Sequence, residues 1–255
     1  HVQMIDSTEL NDFLHASELE TLWDHLVRRM AGYGFDRLIY GATRFRTATS
    51  LGDAEDFVIL TNHDPEYMDG FINGGLYFHA PMVKWALEHE GPCSWSVLHE
   101  MAETGTLSAQ ERKVVAFNIS HQVTAGYSIS FQSVSARTKA AIALTARAGM
   151  GQDEVDAIWA EHGDDILLLN NIAHLRILSL PYTSPTRSLT ARQREVLGWV
   201  GDGKTVQDIA LLLNLTPATV EKHLRLARDA LSVETTAQAV LKASFQNQIF
   251  TLEPS

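Results

Sequence analysis

Between Pro217 and Leu231 the chain places Lys222, His223, Arg225 and Arg228 on a stretch that begins with helix-start signals and closes at Leu231. Side chains three and four apart share a helix face, so these cations form one edge of a rod, with the chemistry to meet phosphates and the edges of bases. Thr216 is placed to cap the rod and Pro217 takes its first helical position, where a missing N–H does no harm. A shorter helix, Val206 to Leu213, precedes it, capped by Thr205, with Asn214-Leu215-Thr216 as the tight turn. A short helix, a turn and a longer cationic helix make the helix-turn-helix layout, in which the later helix enters the major groove of double-stranded DNA. Lys204, just before a helix start, is expected to contact phosphate. Thr205, Thr216, Thr219, Val220, Lys222, His223, Arg225 and Arg228 complete the expected DNA-binding set.

Two other helices belong with this pair. Thr190-Ala191-Arg192-Gln193 is a capping box opening a helix to about Gly201, and Thr236 to Phe245 reads as a fourth. Gly198 to Thr205 also matches the glycine, four residues, Gly-Lys-Thr pattern of a phosphate-binding loop. Such a loop must follow a buried strand, whereas this one begins inside a capped helix, so nucleotide binding is not expected and Gly203 reads as a helix stop. The remaining enzyme and metal signatures are missing: there is no nucleophile elbow, His-Glu-x-x-His pair, Cys-x-x-Cys pair or dinucleotide glycine fingerprint. No enzyme, cofactor or metal is expected.

Charge separates the chain into two parts. The net charge is −11, but from Arg187 onward cations and anions nearly balance at +1, leaving −12 on the residues before it. The stretch Leu180 to Ser188, with Pro181 and Pro185, has the composition of a linker. The expected division is a sensor-like domain over 1–179, a linker over 180–188 and a helix-turn-helix domain over 189–255. The single Cys93 excludes an internal disulfide framework. No run approaches the length of a membrane span and the start carries no secretory pattern, so a soluble, cytoplasmic protein is expected.

Before the linker, helix and strand patterns alternate. Ser17 to Ala31 is helical with Ser17 as candidate cap, and Gln152 to Leu180 is a long helix. Phe35 to Phe45 and Asp56 to Leu60 read as strands, Ala140 to Leu144 as another, and Gly126 to Phe131 as a half-buried one that alternates Tyr127, Ile129 and Phe131 with serines. Pro65 to Ile72, Pro81 to Glu88 and Ser108 to His121 read as helices. The expected fold is an α/β sandwich, an antiparallel sheet between helices, followed by an all-α four-helix domain.

The spaced residues Leu189-Thr190-Ala191-Arg192, Val196-Leu197, Gly203-Lys204-Thr205, Ile209-Ala210, Thr219-Val220 and His223-Leu224 closely resemble the DNA-binding domain of LuxR-type regulators. The resemblance implies that the third helix reads DNA and the fourth supports a homodimer. Gln193, Glu221 and Ala230 depart from the family pattern, which favours glutamate, lysine and a basic residue there. The segment His63 to Trp95 resembles the same family's autoinducer-binding domain, whose spacing selects Tyr67, Phe71, Ala80-Pro81 and Trp95, with Gly126 before a core strand. In that family two aromatics wall an apolar cavity and donate to ligand carbonyls, while an aspartate accepts an acyl-amide N–H. Here the aspartate is Ala80. The resemblance implies a small apolar signal molecule, acyl-homoserine lactone-like or other, touching Tyr67, Phe71, Ala80 and Trp95, with His63 and Tyr40 counted beside them. Aromatics at helical spacing also serve as plain core, which leaves two other readings: a ligand-independent DNA binder, and an anti-activator acting through protein contacts.

Overall fold

The computed structural model describes residue 2 and residues 4–252. They form two compact units, His1–Ile177 and Leu178–Ser255.

In the first unit five strands, β1 (Phe35–Thr43), β2 (Val58–Thr61), β3 (Gly91–Ser94), β4 (Gly126–Ser130) and β5 (Lys139–Ala146), pair antiparallel in the order β2-β1-β5-β4-β3. Helices cover both faces, as expected for the α/β sandwich. On one face lie α1 (Ser7–His15), α2 (Leu19–Tyr33) and the first part of α7 (Gln152–Ser179). Side chains alternate across a strand. Leu38 and Tyr40 of β1 and Ile142 and Leu144 of β5 therefore share the face that packs on these helices, where all four are almost fully buried. Tyr127 of β4 joins them by stacking on Trp159 of α7 at 4.0 Å. The other face carries α3 (Pro65–Met68), continued by a wider turn over Asp69–Asn73, then α4 (Pro81–Glu88), α5 (Ser96–Glu103) and α6 (Ala109–Ser120).

Several local expectations shift. Helix α2 starts at Leu19 after Glu18, which makes no side-chain cap, so Ser17 is not the cap. Its end is legible: Gly34 takes φ 111° and its N–H bonds back to the last turn. Strand β4 is not half-buried, because Ser128 and Ser130 also face covered space; the Ser130 hydroxyl donates to the Ala86 carbonyl at 2.6 Å.

The second unit packs α8 (Ala191–Gly201), α9 (Val206–Leu213), α10 (Pro217–Leu231) and α11 (Thr236–Phe245) around Val196, Leu197, Ile209, Val220, Leu224, Leu231 and Ala239. Capping boxes open α8 at Thr190 and Gln193, α9 at Thr205 and Asp208, and α11 at Thr235 and Gln238. Asn214 ends α9 at φ 54°. The phosphate-loop pattern lies within α8 and its final turn, where Gly203 sits at φ 87° and donates to the Val200 carbonyl. The proline-containing stretch is tied to the chain's last turn: Asn247 donates to the carbonyls of Leu178 and Leu180, and Tyr182 N–H to that of Gln246. Among the described residues no helix is long and apolar enough to cross a membrane.

Candidate functional site

Between the sheet and α3 to α6 lies a cavity of about 610 Å³, within the usual range for small-molecule sites. Its floor is built from small residues. Ala141 and Ala143 of β5 and Gly41 of β1 line it, and a methyl group added at Gly41 would meet only Ile59, at 3.6 Å. Opposite stand Tyr67, Phe71, Met82, Trp95, Leu98 and Val114. Gly126 sets the depth at one end. A side chain there would collide with the Leu144 carbonyl and come within 3.0 Å of the Trp95 ring, so only glycine lets the indole lie over β4.

The four residues selected by spacing all line this cavity: Tyr67, Phe71, Ala80 and Trp95. Their polar atoms are already engaged. The Tyr67 hydroxyl donates to Asn118 Oδ1 at 2.8 Å, and Trp95 Nε1 donates to Ser128 Oγ at 2.9 Å. Burial pushes the Tyr67 phenol well up, so it stays protonated. Ala80 precedes α4 without a side-chain cap, and its methyl group offers a ligand no acceptor.

Two expected contacts lie elsewhere. Tyr40 occupies the opposite sheet face, as strand alternation dictates for a neighbour of cavity-lining Ile39 and Gly41; its Oη lies 2.8 Å from His174 Nδ1. His63 stacks behind Tyr67, with ring centroids 4.5 Å apart, and does not line the cavity. Burial first, then the nearby Arg37 and His121 charges, lower its pKa to about 4. Both imidazoles, His63 and His174, are thus held neutral inside the unit.

The sequence reading passed over Asn118, Ser128 and Gln152. Asn118 follows buried Val114 by one helical turn, a spacing that signals an inward polar group, whereas the alternation of Ser128 with Tyr127 and Ile129 reads as an exposed polar face and gave no such signal. Gln152 clamps the end of β4: its Oε1 accepts from Gly126 N–H at 3.0 Å and its Nε2 donates to the Gly126 carbonyl at 3.1 Å.

In the second unit, Val220, Leu224, Ala227 and Leu231 bury one face of α10, which turns Lys222 and Arg225 outward as exposed side chains. Lys204 is exposed just ahead of α9, while His223 and Thr219 are partly exposed at the flank. Two expectations need correction. Val220 is fully buried in the core and presents nothing to a duplex. Arg228 is half-buried and donates to Thr236 Oγ1 at 3.0 Å, which braces α10 against α11. Thr205 and Thr216 cap their helices as expected, accepting from the backbone N–H groups of Asp208 and Thr219, and both remain exposed. Lys242 is buried and donates to the Leu231 carbonyl at 2.7 Å, sealing the end of α10. On and just ahead of the helix-turn-helix pair the exposed cations are Lys204, Lys222 and Arg225, with Glu221 exposed beside Lys222, while the exposed Arg192 and Arg194 of α8 bond to Glu195 and to the Leu189 carbonyl.

Comparison with known proteins agrees with this division. Residues 18–177 match the autoinducer binding domain, and residues 187–243 match the bacterial regulatory proteins of the luxR family. The transcriptional activator ExpR of Dickeya dadantii (strain 3937) is 24% identical over 226 residues, covering 84% of this chain and 83% of that protein. The transcriptional activator LuxR of Aliivibrio fischeri (strain ATCC 700601 / ES114) is 21% identical over 191 residues, 74% and 73% of the two chains. Among solved structures, Escherichia coli SdiA superposes with a TM-score of 0.55 at 14% identity, covering 96% of this chain and 97% of that one. SdiA in complex with octanoyl-rac-glycerol gives 0.51 at 15% identity, covering 95% and 97%. With both domain models matched in order along one sheet-and-helix unit and one helix-turn-helix unit, the chain belongs to the LuxR family of transcriptional regulators, an autoinducer-binding domain followed by a DNA-binding domain.

Proposed function

We propose that this regulator binds a small apolar signal molecule in the cavity of its first unit and, as a cytoplasmic homodimer, binds operator DNA through α10. The observation that carries the ligand reading is the cavity itself: about 610 Å³ lined by alanines, aliphatics and aromatics, with few polar groups. Domain limits of 1–179 and 189–255, joined by 180–188, suit this reading, because α7 ends at Ser179 and α8 is capped by Thr190. Tyr67, Phe71, Ala80 and Trp95 wall the ligand site. Lys204, Lys222, His223, Arg225 and Thr219 form the DNA contacts, and Thr205, Thr216 and Arg228 hold the helices that carry them. On α11, Leu241 and Phe245 are exposed one turn apart, an apolar pair suited to a second copy of the chain.

The polar groups beside the cavity favour a ligand whose head accepts hydrogen bonds. Tyr67 and Trp95 spend their donors on Asn118 and Ser128, so the Ser128 hydroxyl hydrogen and the Asn118 amide are the donors left over. Without a carboxylate at Ala80, an amide N–H loses its strongest acceptor, which is worth about 1.5–3 kcal/mol when charge-assisted. An ester or ketone loses nothing. Thermal melts of the full chain with an octanoyl ester of glycerol and with the matching octanoyl amide test this. A larger rise in melting temperature with the ester is expected. Equal rises with the two overturn the preference for an ester head, and no rise with any apolar amphiphile overturns the ligand reading.

A further inference from the structure

We propose that Glu221 selects a cytosine in the operator, its carboxylate accepting a hydrogen bond from the exocyclic N4 amine in the major groove. This rests on the reading that α10 enters that groove, and it assigns to Glu221 a role of its own there.

The case begins with placement. Glu221 is exposed on α10, one residue before Lys222 and one full turn before Arg225, so its carboxylate lies inside the cationic strip. A duplex close enough for Lys222 and Arg225 to touch it also reaches Glu221. Nothing in the fold employs this side chain. Among the described residues no hydrogen bond or ion pair engages its carboxylate, neither with Arg225 four residues on nor with any neighbouring unit of the helix surface. Its neighbours in sequence are otherwise committed: Val220 is core, Leu224 is core, and Thr219 completes the Thr216 cap.

Chemistry then narrows the partner. A bare carboxylate among phosphates is repelled, and the strip offers few compensating cations, since Arg228 and Lys242 are turned to structural duty. The groove holds two kinds of exocyclic amine that a carboxylate can accept from. Adenine N6 sits beside the acceptor N7, which repels a second acceptor and suits an amide side chain. Cytosine N4 is a donor without an acceptor on the same base edge, and it is the usual partner of glutamate and aspartate. A carboxylate in this strip therefore discriminates: it lowers affinity for most sequences and restores it where cytosine stands at the right step.

The test is selection of binding sites from a random duplex library by the full chain purified from its host, alongside Glu221→Ala and Glu221→Gln, followed by titration on single duplexes. The exposed position makes unchanged melting temperatures the expectation for both variants. The wild-type chain should enrich cytosine at one position of each half-site. Glu221→Ala should lose that preference alone, and Glu221→Gln should move it to adenine. Replacing that cytosine by thymine should weaken the wild-type chain about tenfold or more, and the alanine variant less than about twofold. Identical base profiles for all three proteins overturn the proposal. So does a uniform tightening of Glu221→Ala on every sequence, which marks a carboxylate facing phosphates only. Failure of the wild-type chain to bind any duplex overturns the α10 reading itself.

Discussion

Replacing Ala141 by leucine separates an open cavity from a filled core by the sign of its effect. Ala141 sits in the middle of β5, paired with Gly41 on one side and Ser130 on the other, and its methyl group faces the cavity of about 610 Å³. Leucine adds three carbons, and burying each is worth about 0.8 kcal/mol. If the space is open, the ligand-free protein therefore gains about 2 kcal/mol. A close-packed site would instead lose about 1–3 kcal/mol to overpacking. For a unit of this size about 2–4 °C accompanies each kcal/mol, so Ala141→Leu should melt about 4–8 °C above the wild type when both are prepared free of small molecules. The added side chain also occupies ligand space, so the stabilisation by apolar amphiphiles should shrink in the same melts. A variant that melts lower, with its ligand response intact, refutes the reasoning.

Three further perturbations follow from the geometry. Burial lowers His63 and His174 from 6.5 to about 4. The unfolded chain therefore binds protons first on acidification. The stability these neutral imidazoles contribute is complete above pH 6.5 and lost as pH falls toward 4, by up to about 3 kcal/mol each. Urea unfolding at pH 7.5, 5.5 and 4.5 should show this loss, and His174→Gln should remove about half of it; an unchanged slope contradicts the assignment. Thr216→Ala removes the hydroxyl that accepts from Thr219 N–H at 3.2 Å and should destabilise the second unit by about 1 kcal/mol in urea melts. Ser128→Ala strands the buried Trp95 N–H and should reduce stability by about 1–3 kcal/mol, together with the affinity for ester-headed amphiphiles. A Ser128→Ala protein with wild-type stability and ligand response would contradict that pairing.

Local chemistry made the second unit readable. Thr190, Thr205 and Thr216 each cap the helix that their position announced, because a cap bonds within three residues of its own sequence. The sheet was readable where alternation was clear, as in β1, β4 and β5. It was not in β3, whose Gly91-Pro92-Cys93-Ser94 has no apolar alternation and pairs only at the sheet edge. Helix α1 and helix α5 were also passed over: both are short, and α5 has no side-chain cap. Site residues failed where direction mattered more than type. Tyr40 and Val220 are the right kinds of residue one step from the right face, and only the register of β1 and the buried stripe of α10 say so. Arg228 has the type and spacing of a DNA contact, and only the Thr236 hydroxyl beside it shows that it braces the helices instead.

The cationic edge of α10 is tested most directly by fluorescence anisotropy of a labelled operator duplex against the full chain across a salt series. The wild-type protein should bind with a steep logarithmic salt dependence, while Lys222→Ala with Arg225→Ala should abolish operator binding at physiological salt and leave the melting temperature unchanged. Equal affinity and equal slope for the two proteins would contradict the account.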